Sequence, residues 1–159
     1  QIGYTDNPKY YPYQDIRLER EIWSLNEKKE FELSEKKLDT LLLNNPFNIL
    51  GNREMSYVQN KLGNKESADL HYKKFDLIVA SILSTGDGTS YETSWFTLSP
   101  ADGQWIIKLA FRQGICSMGS GNDNNGNFHD ILEIKFEDSE ECKKLYFNIE
   151  PATKRMFGK

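Results

Sequence analysis

The sequence is poor in the residues from which small chemical sites are built. Its 159 residues hold two cysteines and two histidines. Two cysteines are too few for a disulfide scaffold, and Cys116 and Cys142 form no C-x-x-C pair. Their plain reading is two unpaired thiols in or near strands; the alternative, one bridge, requires an oxidising compartment. With only His71 and His129, no histidine-rich zinc site is expected. Basic residues number 20 against 24 acidic, both signs are mixed along the chain, and the net charge is −4. The Lys/Arg block that marks a nucleic-acid binder is missing. No apolar run approaches the about 20 residues of a membrane-spanning helix. There is no Walker-type loop and no G-x-S-x-G elbow, and Gly119-Ser120-Gly121 lacks the third glycine of a dinucleotide loop. No catalytic residue, cofactor or metal is therefore assigned. The first residue is Gln1, not Met. That is expected of a chain cut at a cloning boundary, or one that has lost a signal peptide or lipoprotein leader.

What is present is globular. Hydrophobic residues make up 38%, charged residues 28% and aromatics 13%, enough for a buried core. The pattern divides one domain, 1–159, into a helical half at about 14–85 and a strand half at about 92–150.

In residues 3–13, Pro8 and Pro12 exclude a helix interior. Tyr4, Tyr10, Tyr11 and Tyr13 are expected to pack across helix ends from an extended arm, rather than to stack on a sugar or a partner. Asp15 is a candidate N-cap for a first helix carrying Ile16, Ile22 and Leu25 on one face. A second helix is expected after Ser34, burying Leu38, Leu41 and Leu42, and ending before Pro46. A third, with Met55, Val58 and Leu62 at i, i+3 and i+7, stops at Gly63. Asn64 opens a fourth, whose stripe is Ala68, Tyr72, Phe75, Val79 and Ile82, while His71 falls to the solvated side. Pro46, Gly63, Ala68 and Tyr72 have the spacing of a tetratricopeptide unit, although Gln59 stands where that repeat places an aromatic. Two hairpins are too few for a free-standing solenoid, so their remaining face must be covered. The expected fold is α+β: tetratricopeptide-like α-hairpins packed against a small, mainly antiparallel C-terminal sheet.

In the strand half, residues 93–98 read as a strand. Ser99-Pro100-Ala101-Asp102 reads as a helix start, leading to a short helix ending near Gly114; a strand over 104–111 is the alternative. Residues 115–118 form a short strand and 119–127 a loop. Two alternating strands follow, one with Leu132, Ile134 and Phe136, the other with Leu145, Phe147 and Ile149, joined by an acidic turn at 137–141.

Two places could carry binding chemistry. Asp87 lies between Gly86 and Gly88 with Thr89, Ser90 and Thr93 nearby. Such a loop could cradle a cation or a small polar ligand, but an aspartate that ties its own loop is the commoner case. His129 and Asp130 begin a strand, where adjacent residues point to opposite faces and so do not pair. Asp87, Thr89, Ser90, His129 and Asp130 are the candidate binding residues. A calcium loop at Asp123, Asn125 and Gly126 fails, because Gly121 and Leu132 occupy its first and last ligand positions.

Several blocks in order carry a family resemblance: Gly3-Tyr4 with Tyr11-Pro12-Tyr13, Asn45-Pro46-Phe47-Asn48, Leu62-Gly63, Ile82 through Ser90 with Glu92-Thr93, His129 through Glu133, and Leu145 through Ile149. Together they resemble an uncharacterised family, a domain of unknown function, in secreted or lipid-anchored proteins of Bacteroides-type bacteria. The resemblance implies a compartment, the periplasm or cell envelope, and no activity. The repeat-like hairpin, with no convergent catalytic set beside it, makes a non-enzymatic binding or protein-interaction module of an exported protein the leading expectation. The expected partner is another envelope or secreted protein, with no nucleic acid and no integral membrane span; a lipid anchor would precede Gln1. The competing expectation is a hydrolase-type enzyme using Asp87 and His129.

Overall fold

The computed structural model describes residues 2–136 and 139–158. The fold is α+β: six α-helices and a four-stranded mixed sheet among the described residues. The chain forms two compact units, Gln1–Ile78 and Val79–Lys159.

The first unit holds a short 3-10 turn, Ile2–Asp6, then α1 (Pro12–Glu27), α2 (Phe31–Asn44), α3 (Ile49–Lys61) and most of α4 (Lys65–Leu83). The arm is thus partly helical rather than extended. Tyr10 is buried, and Tyr4 meets the Tyr10 and Phe47 rings edge-on at 5.7 and 5.3 Å. α1 begins at Pro12, three residues before the expected cap, because proline at the first helical position gives up no hydrogen bond. α2 begins at Phe31 rather than after Ser34: Phe31 stacks edge-on with Tyr57 at 5.8 Å, and that tertiary contact extends the helix backwards. Ile22, Leu38, Leu41, Met55 and Val58 form the buried core of α1–α3. Gly51 marks the close approach of α2 to α3; a Cβ there would lie 2.9 Å from Leu42.

Polar groups line the same core. Asn48 caps α3 by accepting the Gly51 amide at 2.7 Å and donates to buried Glu19 at 2.7 Å. Asn26 donates to Glu54 at 2.6 Å. These two Glu–Asn rungs join α1 to α3 in the same order along both helices. Gly63 takes φ +86° and turns the chain between α3 and α4. On α4 the expected stripe residues Ala68, Phe75, Val79 and Ile82 are buried, and Tyr72 is the exception. Tyr72 is 41% exposed with Arg53 over its ring, whereas His71 is half-buried and meets Asn52 at 3.2 Å. The helix turns its Ala68, His71 and Phe75 side inward, and Tyr72 stands at the edge of that face, about 40° round the axis from Ala68 and about 60° from Phe75.

The second unit carries β1 (Trp95–Phe96), α5 (Asp102–Trp105), which continues as a π-helical turn over Ile106–Ala110, β2 (Ile115–Asn122), β3 (Phe128–Lys135), β4 (Cys142–Asn148) and α6 (Glu150–Phe157). The sheet order is β1-β4-β3-β2; β1 runs parallel to β4 and the other pairs are antiparallel. Of the expected acidic turn, Glu137 and Asp138 lie outside the described residues. The 93–98 strand shrinks to two residues. Residues 102–110 are helical, which removes the strand alternative over 104–111; Asp102 starts that segment by accepting the Leu98 and Ser99 amides, both at 2.9 Å. Gly119-Ser120-Gly121 is strand rather than loop, because the bare Gly121 Cα makes room for the Tyr91 hydroxyl laid over the sheet. Leu132, Ile134, Leu145 and Phe147 are buried, and Phe147 packs on Gly103 and on Trp95 at 5.3 Å.

The two thiols are bonded to each other. Cys116, at a bulge in β2, and Cys142, at the start of β4, form a disulfide with Cα atoms 6.6 Å apart. Sequence spacing could not reveal the pair, because the two residues meet only once β3 lies between their strands. α6 was also not anticipated, although Glu150-Pro151 opens it and Gly158 closes it at φ +66°.

Candidate functional site

The glycine-bracketed aspartate is a closed hydrogen-bond centre. Gly88 takes φ +71°, which lets the loop turn so that its amide reaches the Thr93 carbonyl at 2.8 Å. Asp87 Oδ1 then accepts the Thr93 hydroxyl at 2.6 Å, the Thr89 hydroxyl at 2.7 Å and the Thr89 amide at 2.9 Å. The Thr93 bond first, then those from Thr89, hold the carboxyl down at about 2. Ser90 Oγ lies 3.1 Å from Thr93 Oγ1. The indole N–H of Trp95 donates to the Gly86 carbonyl at 2.9 Å, and Tyr146 donates its amide to Gly88 at 2.9 Å. The loop is therefore sewn to β1 and β4. Chemically, Asp87 satisfies its own hydroxyl neighbours.

His129 is fully buried. Its Nδ1 donates to the Asn127 carbonyl at 3.0 Å, and its Nε2 lies 3.1 Å from the Ser94 hydroxyl. Tyr91 covers the ring edge-on at 5.1 Å. The loop carrying Asp87 thus ends on His129 through Ser94, a residue that sequence reasoning did not single out. Asp130 pairs across the sheet with Ser120 and Phe147, on the face opposite His129. Burial pushes its carboxyl up to about 6. Of the five candidates, the structure gathers Asp87, Thr89 and Ser90 in one loop and brings His129 to its end. Asp130 lies on the face of the sheet opposite His129. In the β2–β3 turn, Asp123 accepts the Asn125 and Asn127 amides at 2.9 and 2.8 Å, and the Asn127 side chain leads in lowering its carboxyl. Among the described residues, no group of three or more His, Cys, Asp or Glu is placed to hold a metal ion.

A family model for a domain of unknown function, DUF4919, matches residues 1–157. The chain belongs to that family. The match agrees with the resemblance to an uncharacterised family drawn from the sequence blocks. Neither a curated protein nor a solved structure matches the chain. No described helix is long and apolar enough to cross a membrane.

A second site was not visible in the sequence. In the first unit, the arm and the faces of α1 and α2 enclose a groove of about 510 Å³, lined by Tyr11, Gln14, Asp15, Arg17, Thr40 and Asn44 with Leu18 and Leu41 beneath. Asp15 and Leu18 stand at i and i+3 on one face of α1, and Tyr11 is the residue just before that helix. Asp15 does not cap α1. Its Oδ2 accepts the side-chain amide of buried Asn45 at 2.8 Å. Burial raises its carboxyl to about 6 against that bond, and burial with the Asp15 charge raises the neighbouring Tyr4 hydroxyl to about 12. Only the hairpin α1–α2 brings Asp15 within reach of Asn44, which is why spacing alone could not mark it.

Proposed function

We propose that this chain is a non-enzymatic binding module of an exported protein, and that the Asp15 groove is its binding face. The groove carries the proposal. It combines an apolar floor with polar atoms that are not used up within the fold, the composition of a ligand site. The Asp87 and His129 groups, in contrast, are engaged by their own loop and strand. A hydrolase working through them would have to break the Asp87–Thr93 bond that closes the loop and the Ser94–His129 bond that ties it to β3.

Export is supported by the Cys116–Cys142 bridge, whose two residues are exposed. Such a bond persists in oxidising compartments and is rare in reducing ones. We place the protein in the periplasm or cell envelope, where its partner would be another envelope or secreted molecule, a protein among them. The parallel rungs between α1 and α3, the Gly63 turn and buried Ala68 support reading the hairpins as tetratricopeptide-like.

Site-specific photo-crosslinking tests the binding face. A photoreactive residue at Tyr11 should yield a discrete adduct in the native envelope fraction, and one at exposed Arg112 should not. Equal labelling at both positions, or none at Tyr11, would refute the groove as the binding face.

A further inference from the structure

We infer that the Asp15 groove is a saccharide subsite, one that takes a sugar ring whose hydroxyls bridge its acidic and basic side chains. The inference rests on the binding-module reading of the same groove and adds the class of ligand.

Charge balance is the first argument. Asp15 and Glu21 line the groove on the acidic side, Lys9 and Arg17 on the basic side. Glu21 is already engaged by Arg17 Nε at 3.3 Å and by Lys37 at 2.9 Å. A net anion entering the groove would face the Asp15 carboxylate, and a net cation would face Lys9 and Arg17. A neutral ligand meets neither penalty.

The second argument is the mix of hydrogen-bonding atoms left over. Among the described residues, Asp15 Oδ1 and the Gln14 side-chain amide have no partner. Asn44 spends its amide nitrogen on the Thr40 carbonyl at 3.1 Å, which leaves its side-chain oxygen. Arg17 uses only Nε, so its terminal nitrogens remain, and the Lys9 ammonium forms no ion pair among the described residues. Acceptors and donors therefore line the same opening. A hydroxyl group both donates and accepts, so a row of hydroxyls satisfies such a lining where a pure donor or a pure acceptor would not. The ligand must also present an apolar face, since Leu18 and Leu41 lie beneath and Tyr11, 52% exposed, stands at the rim. A pyranose has this construction: hydroxyls around the edge and C–H groups on the faces, which stack on a tyrosine ring.

The test is a titration of isotope-labelled protein with neutral and N-acetylated hexasaccharides, and in parallel with a nonapeptide library, followed through backbone amide signals. At least one saccharide should shift the Tyr11, Asp15 and Asn44 signals saturably, and Tyr11→Ala should weaken that binding by about tenfold or more. Arg17→Ala should weaken it too, without unfolding, because that side chain is 88% exposed. If peptides shift these signals and no saccharide does, the saccharide inference falls and the binding module stands. If nothing shifts them, both fall. If saccharides move only signals beyond residue 78, or bind Tyr11→Ala as tightly as the wild type, the inference falls.

Discussion

Removing the Cys116–Cys142 bridge should destabilise the Val79–Lys159 unit by about 3.5 kcal/mol. The bridge closes a sequence separation of 26 residues. In the chain-entropy treatment, a loop of that length restricts the unfolded chain by about 12 cal/mol/K, or about 3.5 kcal/mol at 25 °C. The position of the bond makes the effect legible. β2 joins the sheet only through β3, and the disulfide spans β3 to reach β4. Both cysteines are exposed, so Cys→Ser changes leave no cavity and the loss falls on the unfolded state. Urea unfolding followed by the emission of buried Trp95 is the assay. With a slope of about 2 kcal/mol per M, the midpoint of the Cys116→Ser/Cys142→Ser protein should lie about 1.5–2 M below that of the oxidised wild type. Reduced wild type should match the double variant. Coincident midpoints would refute the argument, and so would two titratable thiols in unreduced, denatured protein.

Asn48→Ala removes both the cap on Gly51 and the donor to buried Glu19, so it should cost about 2–3 kcal/mol in a calorimetric scan; a loss under about 0.5 kcal/mol would show that water replaces the donor. Asp87→Asn keeps an acceptor for Thr89 and Thr93 and should melt close to wild type, whereas Asp87→Ala should melt lower. Calcium or magnesium should leave the wild-type melting temperature unmoved; a metal-dependent rise that vanishes in Asp87→Asn would make the loop a cation site. Stability should fall as pH rises from about 4 to about 6. Asp15 and Asp130 titrate near 6 in the folded chain against 3.8 unfolded, so the folded state holds the extra protons across that window. Asp15→Asn with Asp130→Asn should flatten this slope in pH-resolved unfolding, and an unchanged slope would refute the assignment. Asp87 has the opposite sign: its contribution is lost as pH falls from 3.8 towards about 2.

Much of the local structure was legible because it depends on neighbours in the chain. Gly63 ends α3 since only a glycine takes φ +86° without strain, and Asp102 starts its helix through amides three and four residues back. The alternation of Leu132, Ile134, Leu145 and Phe147 marked the buried face of β3 and β4, and placed His129 and Asp130 on opposite sides of the sheet. Where the reading slipped, a distant contact had overridden the local preference. Phe31 drew α2 backwards onto Tyr57. Tyr91, lying over Gly121, made strand of a segment whose composition spells loop.

The candidate sites divide in the same way. The self-satisfied Asp87 loop could be foreseen, because its partners lie two and six residues away. By itself, then, the sequence determined the α+β class, the helix ends at Pro46 and Gly63, the buried stripes and the Asp87 turn, all properties of short-range sterics and periodicity. Tertiary structure alone decided the Cys116–Cys142 bond, the Ser94–His129 contact, the Glu–Asn rungs and the Asp15 groove. Each joins residues between 26 and 35 positions apart, and no local preference selects which distant side chain will arrive.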